Sequence, residues 1–321
     1  MGHGAIKREL LLAKMETTYG TDPTPAGANA VLVEEVTVSP ENLRMIERPS
    51  IRASLGTLQH TYAGMLLGIT CQAEVKGSGT AGTAPEIGVL LRACGLTETI
   101  VPATSVSYQP RSLATAFESV AIYYFEAGAG AATQVRHIIL GCRGNVQFTW
   151  QAGGKLMASF TLTGKVSANP TDQTLPTPTY HTTVPVGIRG LATTIGGVSA
   201  LTIQQYSLNL NNQIQTPDSV ADAEGFGDVV IVSRDPALDL GRHNELVATI
   251  APYADLRAGT NRAFASGTLG ATAGNRVALT AGQVHYRGIQ QGVDNAMRAG
   301  SYPLGLHESS AANDELVLSF T

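Results

Sequence analysis

The chain has 321 residues, about the length of two ordinary domains, and only 14% of them are charged, against roughly 25% in typical soluble proteins. The net charge of -4 at pH 7 and the absence of any Lys/Arg run longer than two residues argue against a nucleic-acid-binding protein, which usually gains affinity from a basic patch. A surface with so few charges is typical of a subunit that covers much of its exterior with partners.

The three cysteines, Cys71, Cys94 and Cys142, are too few and too scattered in sequence for a disulfide framework or a zinc site. We expect buried, reduced thiols. The N-terminal region has a run of only three leucines, whereas a signal peptide needs an apolar core of roughly 7 to 15 residues. A run of about 18 apolar residues, as a membrane span requires, is also absent from the sequence. We therefore expect a protein made in the cytoplasm, with no membrane partner.

Residues 1–30 are predicted to form an N-terminal arm. A helical spacing of apolar residues begins the arm, and a segment rich in Gly, Pro and Thr follows it. The apolar residues of the predicted short helix are Ile6, Leu10, Leu11 and Met15.

Residues 31–166 are predicted to form a first β-rich domain. Alternating apolar residues predict a strand that begins at Val31, and the apolar run YAGMLLGITCQAEV (62–75) predicts a second strand. Further segments with strand-like alternation lie at 105–110, 119–128, 134–150 and 155–164. One face of these strands is apolar and the other polar, as in a sheet with one buried face.

One helix is predicted in this domain, over residues 83–95. Thr83 and Glu86 have the spacing of a capping box. Pro85 lies in the first turn, and Gly95 follows the last apolar residue. The apolar stripe of this helix consists of Ile87, Leu90, Leu91 and Cys94.

Residues 167–200 are rich in Pro and Thr without a sustained period, which predicts a linker. Residues 201–321 then repeat the order of strand, polar loop, strand, helix and further strands. The helix of this second domain is predicted to begin at Asn244, to be kinked at Pro252 and to end at Gly259.

The segments HIILGCRGNVQFTW (137–150) and RVALTAGQVHYRGI (276–289) resemble each other. Their aligned apolar pairs are Val146 with Val284 and Phe148 with Tyr286. Together with the repeated element order, this similarity predicts one β-rich domain that was duplicated and has diverged. The alternative is two unrelated β domains whose strands look alike because they share an alternating pattern.

The sequence KGSGTAGTAPEIG contains a GxGxxG pattern at Gly77, Gly79 and Gly82. A dinucleotide site of this kind needs an acidic residue at the end of the next parallel strand and repeated βαβ units. Here Glu98 precedes the next apolar segment, and the strands that follow form an antiparallel meander. A flexible loop is therefore the better interpretation.

A group of acidic residues and one histidine precedes the second predicted helix: Asp235, Asp239, His243 and Glu245. Acids at a helix start complement the helix dipole, and no spacing typical of a metal site accompanies them. No serine or cysteine lies in a nucleophile-elbow context. We expect no catalytic residues, no cofactor and no metal, and hence not an enzyme.

Two polar loops, at about 40–62 and 211–226, carry the candidate functional residues. The first loop carries charges of alternating sign at Glu41, Arg44, Glu47, Arg48 and Arg52. The second carries Asp218, Asp222 and Glu224. These loops either are solvated or dock onto another copy of the protein through complementary charges.

Five stretches share a combined pattern with one family: KRELLLAKMETTYGTDPTPAGANAVLV (7–33), KGSGTAGTAPEIGVLLRACGLTETI (76–100), FESVAIYYFEAG (117–128), GCRGNVQFTWQAGG (141–154) and NPTDQTLPTPTY (169–180). Together they resemble the major tail tube proteins of long-tailed bacteriophages. The likeness spans most of residues 6–180 and continues more faintly through DVVIVSRDPALDL and GNRVALTAGQV.

This resemblance implies a mainly β fold of two tandem tail-tube-type β-sandwich domains, each with one short flanking α-helix. One sheet of each domain would join its neighbours around a lumen, and stacked rings would form the tail tube through which viral DNA passes without specific binding. The implied partners are further copies of the chain, the tape-measure protein and the tail terminator protein, in a virion tail assembled in the host cytoplasm.

Two stoichiometries and two functions stay open at this point. The resemblance implies rings of six tube domains, so two tube domains per chain predict a homotrimeric ring with pseudo-sixfold symmetry. A true hexamer would result if residues 201–321 were an outward decoration domain. The two polar loops are the candidates for contact between rings. The alternative function is that of a virion or decoration protein whose β-sandwich binds a carbohydrate or a receptor.

Overall fold

The computed structural model describes residues 8–112, 117–127, 133–199, 201–309 and 311–321. Strands account for 49% of the structure and helices for 6%, which confirms the predicted mainly β fold. Residues 1–7 of the predicted arm and Ala200 at the end of the predicted linker lie outside the described residues.

The first half of the fold, residues 8–166, contains strands β1 to β11 and helix α1. The strands are β1 (Leu10–Met15), β2 (Ala30–Val31), β3 (Val33–Glu41), β4 (Met45–Ile46), β5 (Thr61–Tyr62), β6 (Leu66–Glu74), β7 (Leu96–Val101), β8 (Ser105–Pro110), β9 (Val120–Glu126), β10 (Thr133–Gln151) and β11 (Met157–Val166). Helix α1 is Gly88–Ala93, between β6 and β7, and a 3-10 helix at Gly27–Asn29 precedes β2.

The second half contains strands β13 to β22 and helix α2, and β12 (Thr171–Thr174) lies between the halves. The strands are β13 (Thr194–Ile195), β14 (Ile203–Asn209), β15 (Gln213–Gln215), β16 (Val230–Ser233), β17 (Ala237–His243), β18 (Arg262–Leu269), β19 (Val277–Tyr286), β20 (Gln290–Asp294), β21 (Met297–His307) and β22 (Val317–Phe320). Helix α2 is Pro252–Ala258, between β17 and β18.

The two halves have the same strand order, and all of their pairings are antiparallel. In the first half the order across the sheet is β3, β6, β11, β10, β9 and β1. In the second half it is β14, β17, β21, β19, β18 and β13. The helix also falls at the same place in both halves. Among the six strands just given for each half, it follows the third in chain order, which is β6 in the first half and β17 in the second. A duplicated domain would have this shared order, although the duplication itself stays a prediction.

Strand β10 joins the halves into one sheet. Its N-terminal part pairs with β9, and after an irregularity next to Gly141 its C-terminal part pairs with β14 instead. Gly141 has a φ of +65°, a conformation that glycine adopts without a steric penalty. In this second pairing Phe148 lies opposite Leu208 and Trp150 opposite Tyr206. The result is a continuous sheet in the order β3, β6, β11, β10, β14, β17, β21 and β19, which we call the main sheet.

The hydrophobic core is continuous across the junction. Trp150 is 2% exposed and stacks on Tyr206 at a ring-centroid distance of 4.7 Å. Tyr206 in turn meets Phe264 edge-on at 5.7 Å. A second junction adds to the first, because β22 pairs with β8 and places Leu318 opposite Tyr108.

Helix α1 is shorter than the sequence predicts. The four residues of its predicted apolar stripe are all buried, but the helix begins at Gly88 and has no side-chain cap. Glu86 accepts a hydrogen bond from the His181 backbone N–H instead of capping the helix, so the predicted capping box with Thr83 is wrong. Gly95, with a φ of +80°, follows the helix as expected.

Helix α2 begins eight residues later than predicted, so Asn244 is not its N-cap. Pro252 occupies the first turn and does not kink the helix, because a proline at that position loses no intrahelical hydrogen bond. Gly259 adopts the left-handed conformation at the C-terminal end, as expected.

The predicted arm and linker both contribute strands. Residues 10–15 form β1, which pairs with β9 and β2, so the predicted short helix is wrong. The run LLLA is buried on both faces, and such a run gives no alternation from which to choose strand over helix. Within residues 167–200, β12 pairs with β10 and β13 pairs with β18.

Candidate assembly interface

The two faces of the main sheet differ in polarity. One row across the sheet runs along the core face through Val33, Ala73, Ala158, Phe148, Leu208, Leu238, Leu304 and Tyr286. The adjacent row on the opposite face consists of Glu34, Gln72, Ser159, Gln147, Asn209, Ala237, Gly305 and His285. The second face is therefore rich in polar side chains, and we call it the polar face.

Three cations at the margins of the polar face each contact at least one carboxylate. Lys155 contacts Glu34 and Glu74 at 2.5 and 2.9 Å, Lys165 contacts Asp222 and Asp228 at 2.9 and 3.1 Å, and Arg287 contacts Asp235 at 2.5 Å. The hydrogen bond to Arg287 is the main reason why the pKa of Asp235 is lowered. The positive charge of these side chains is thus locally compensated.

The two candidate loops contact each other within one chain. The Arg44 guanidinium forms an ion pair with Asp218 and lies 3.8 Å from the centre of the Phe226 ring. A cation over an aromatic face adds electrostatic attraction to the ion pair. Arg44 and Asp218 thus hold the base of the first loop against the second loop.

Glu224 strengthens the same junction from the other side. Its carboxylate accepts hydrogen bonds from the Tyr62 hydroxyl and from the Met65 backbone N–H, the latter at 3.2 Å. Burial and this contact raise the pKa of Tyr62 to about 12, so the hydroxyl remains a donor at neutral pH. Asp222 accepts from Lys165, and all three predicted acids of the second loop therefore bind side chains of the first half.

The remaining predicted charges divide into a base and a tip of the first loop. Glu41 accepts a hydrogen bond from the Thr163 hydroxyl at 2.8 Å and belongs to the base. Glu47, Arg48 and Arg52 are exposed in residues 47–60, which we call the loop tip. Two large apolar side chains, Ile51 and Leu55, are fully exposed in the same tip.

Exposed apolar side chains also occur at the opposite end of the main-sheet strands. They are Leu246, Val247, Val293 and Met297, each more than half exposed. They follow β17 or lie in the β20–β21 hairpin, whereas the loop tip connects β3 to β6 at the other end. Each end of the sheet thus presents apolar surface that a partner could cover.

A groove of about 690 Å³ lies between β3 and β1. Apolar side chains of Leu11, Val33 and Val36 line it together with Tyr124 and Tyr180, and Glu34 and Glu35 lie at its rim. Among the described strands, β3 pairs only with β6, so its second edge faces this groove. Strand alternation alone does not reveal this groove, although the alignment of Phe148 with Tyr286 contains the signal that locates it.

The part of the chain that the structure describes shows no cluster of metal-binding side chains. It contains no group of three or more His, Cys, Asp and Glu side chains that could hold a metal ion. Asp239 and His243 lie in β17, far in sequence from the start of α2, so the predicted helix-capping role of this acidic group is wrong. Within the same part of the chain, no helix is long and apolar enough to cross a bilayer.

The glycine-rich segment after β6 packs against the second half. Gly79 N–H donates to the Gly274 carbonyl at 2.9 Å, and Gly77 N–H donates to the Asn275 side chain at 2.9 Å. A Cβ at Gly77 would lie 2.1 Å from the Gly274 carbonyl oxygen. Close approach of two backbone segments, and not a phosphate, therefore accounts for the glycine at this position.

The comparisons with known proteins agree with this architecture. The family model described as phage tail tube protein matches residues 7–296. No curated protein matches the chain.

Proposed function

The chain belongs to the phage tail tube protein family, and from this premise we propose that it polymerises as stacked rings whose shared lumen carries viral DNA during ejection. It is a structural protein of the virion tail, and we propose no enzymatic activity for it. Assembly would take place in the host cytoplasm, together with the tape-measure and tail terminator proteins.

The observation that most supports this proposal is the main sheet, which crosses both halves of one chain. Each half contributes four strands in the same order. Exposed strand edges promote association, and a ring that joins them closes every edge at once. Three chains would supply six such units, so a homotrimeric ring with pseudo-sixfold symmetry is the stoichiometry we propose over a true hexamer.

We propose that the polar face lines the lumen. Amide and hydroxyl side chains dominate it, and its marginal cations contact carboxylates. Binding to the DNA backbone requires free positive charge that displaces counterions. A surface of this composition would let DNA pass without holding it.

We propose that the loop tip contacts the next ring. Ile51 and Leu55 would be covered there by the exposed apolar residues at the opposite end of the neighbouring subunit. Arg44, Asp218, Asp222 and Glu224 would act indirectly, because they fix the base of the loop through contacts within the chain. This modifies the expectation that these four residues dock between rings themselves.

Electron microscopy of the purified chain tests the proposal. We expect hollow tubes with a regular axial repeat, and native mass spectrometry of dissociated rings should give multiples of three chains. Discrete monomers without a channel under all assembly conditions would contradict the proposal.

A loop variant separates ring formation from stacking. Replacement of residues 47–60 by Asn-Gly would close β4 and β5 as a tight hairpin, and we expect single rings in place of tubes. The double variant Ile51→Ser and Leu55→Ser keeps the loop length and serves as the matched control for apolar contact. Tubes of normal length from both variants would exclude the loop tip from ring stacking.

A further inference from the structure

In each half, the first strand of the main sheet has an outer edge, and this edge is paired with another strand in the second half but not in the first. In the second half this strand is β14, and the C-terminal part of β10 pairs with its outer edge. In the first half the equivalent strand is β3, and its outer edge faces the open groove next to β1. Within the described residues, the groove is therefore the unfilled counterpart of a seam that is filled inside the chain.

The register across the main sheet identifies equivalent residues. In the first half, Val33 is connected through two intervening strands to Phe148 of β10. In the second half, Leu208 is connected in the same way to Tyr286 of β19. Val33 is therefore equivalent to Leu208, and Phe148 to Tyr286. Since Phe148 lies opposite Leu208 within the chain, the missing pairing is Tyr286 opposite Val33.

The end of β19 has a free edge where this pairing requires one. Strand β18 covers β19 only as far as Val284, which lies opposite Arg262. Beyond this point, from His285 through β20, the described strands pair with one edge only, through β21. A backbone edge of this kind can add a further antiparallel strand.

We propose that the end of β19 in one copy of the chain pairs antiparallel with β3 of a second copy, with Tyr286 opposite Val33, and fills the groove. This inference rests on the proposed ring function and specifies the contact between subunits. Val33 and Val36, which are partly exposed in the single chain, would then be covered on the core side, as Tyr206 is covered by Trp150 within the chain.

The charges on the polar face fit a second copy as the occupant. In the proposed register His285 lies opposite Glu34, and Arg287 lies diagonal to Glu34, within reach of a long side chain. The equivalent positions within the chain are neutral, with Gln147 opposite Asn209. Within each chain Glu34 already contacts Lys155 and Arg287 already contacts Asp235. The proposed seam would therefore bring two existing ion pairs next to each other, whereas the seam inside the chain has only amide side chains at these positions.

Disulfide crosslinking in the full-length chain tests the register. Directly opposed residues in an antiparallel pair have Cα atoms about 4.5 to 5.5 Å apart, within the range that a disulfide bridges. We expect the variant with Glu34→Cys and His285→Cys to form a ladder on a non-reducing gel that ends at a covalent trimer. The native thiols give little background, because burial raises the pKa of Cys71 to about 12 and raises those of Cys94 and Cys142 as well.

Two matched variants calibrate the experiment. Gln147→Cys with Asn209→Cys places the pair at the equivalent positions of the seam inside the chain, so it should crosslink within each monomer. Ser39→Cys with His285→Cys moves one partner along β3 by five residues, roughly 16 Å at the rise of a strand, and should form no ladder. A ladder from the Ser39 variant that exceeds that of the Glu34 variant would overturn the proposed register.

The outcomes distinguish this inference from the proposed function. Tubes that form without a Glu34–His285 crosslink would overturn the seam and leave the tube function intact. A chain that neither assembles nor crosslinks would overturn both. A ladder that ends at a hexamer would support the seam and replace the trimeric ring by a larger one.

Discussion

The two halves share a strand order but differ in what covers the first strand of the main sheet. In the second half, Trp150 and Phe148 cover β14 with large apolar contacts. In the first half, β3 presents Glu34 and Glu35 next to an open groove. A strand edge that is covered during folding can be neutral and aromatic, whereas one that waits for another subunit is protected from wrong partners by charge. Under the proposed function, the neutral aromatic seam would form as the chain folds, and the charged edge of β3 would pair afterwards with another copy.

The halves also differ in the structures that hold them together. Arg143 in β10 donates hydrogen bonds to the carbonyls of Phe117, Glu118 and Val229. In the register of the repeats its counterpart is Ala281, which has no such function. The β7–β8 hairpin has no counterpart between α2 and β18, and it covers β22 of the other half. Both features originate in the first half, and each of them contacts the second half.

The largest effect is expected from Trp150→Ala, which opens the seam inside the chain. The side chain is 2% exposed and stacks on Tyr206, so its loss should lower the free energy of unfolding by about 3 to 5 kcal/mol. Urea unfolding followed by circular dichroism measures this change, and Gln151→Ala, at an exposed neighbour, should stay within about 0.5 kcal/mol. A small effect of Trp150→Ala would mean that the halves fold independently of this seam.

Arg143→Met should have the next largest effect, because it removes a buried clamp that only the first half has. Its Nη1 lies 2.7 Å from the Val229 carbonyl oxygen and its Nη2 2.6 Å from that of Phe117. Buried acceptors left without a donor cost about 1 to 3 kcal/mol each, so we expect a loss of about 3 kcal/mol in the same unfolding experiment. The exposed Arg189→Met is the matched control, and an equal effect of both variants would contradict the clamp.

Part of this architecture could be predicted from the sequence because local patterns encode it. The alternation in residues 146–150 and 156–162 follows from one buried face, and the buried stripe of α1 follows from its helical spacing. Five separate stretches were enough to predict the family, because their combination is more specific than any one of them. The repeat predicted from two segments located the equivalence of Phe148 and Tyr286.

The contacts between distant segments could not be predicted in this way. Arg44 and Asp218 are 174 residues apart, and no periodicity relates the two loops. From the sequence, both loops are expected either to be solvated or to dock onto another copy, whereas in the structure they contact each other. Helix α2 was predicted too long because the turns after Asn244 have a helical spacing of apolar residues, although Leu246 and Val247 are exposed.

The smallest effect concerns the ion pair between α1 and the segment before β9, and it depends on pH. Arg92 donates two hydrogen bonds to Glu118, and together with Arg111 it lowers the pKa of Glu118 below its usual value of 4.5. A carboxylate with a lowered pKa in the folded state stabilises the fold above the unfolded pKa and loses this contribution as pH falls through the folded pKa.

Glu118→Gln should therefore cost under about 1 kcal/mol at pH 7, since both side chains are partly exposed. In urea unfolding measured from pH 7 to pH 3, the difference from the unmodified chain should decrease once the pH falls below 4.5. A difference at pH 3 as large as that at pH 7 would contradict this role of the ion pair and would assign the effect of Glu118→Gln to packing instead.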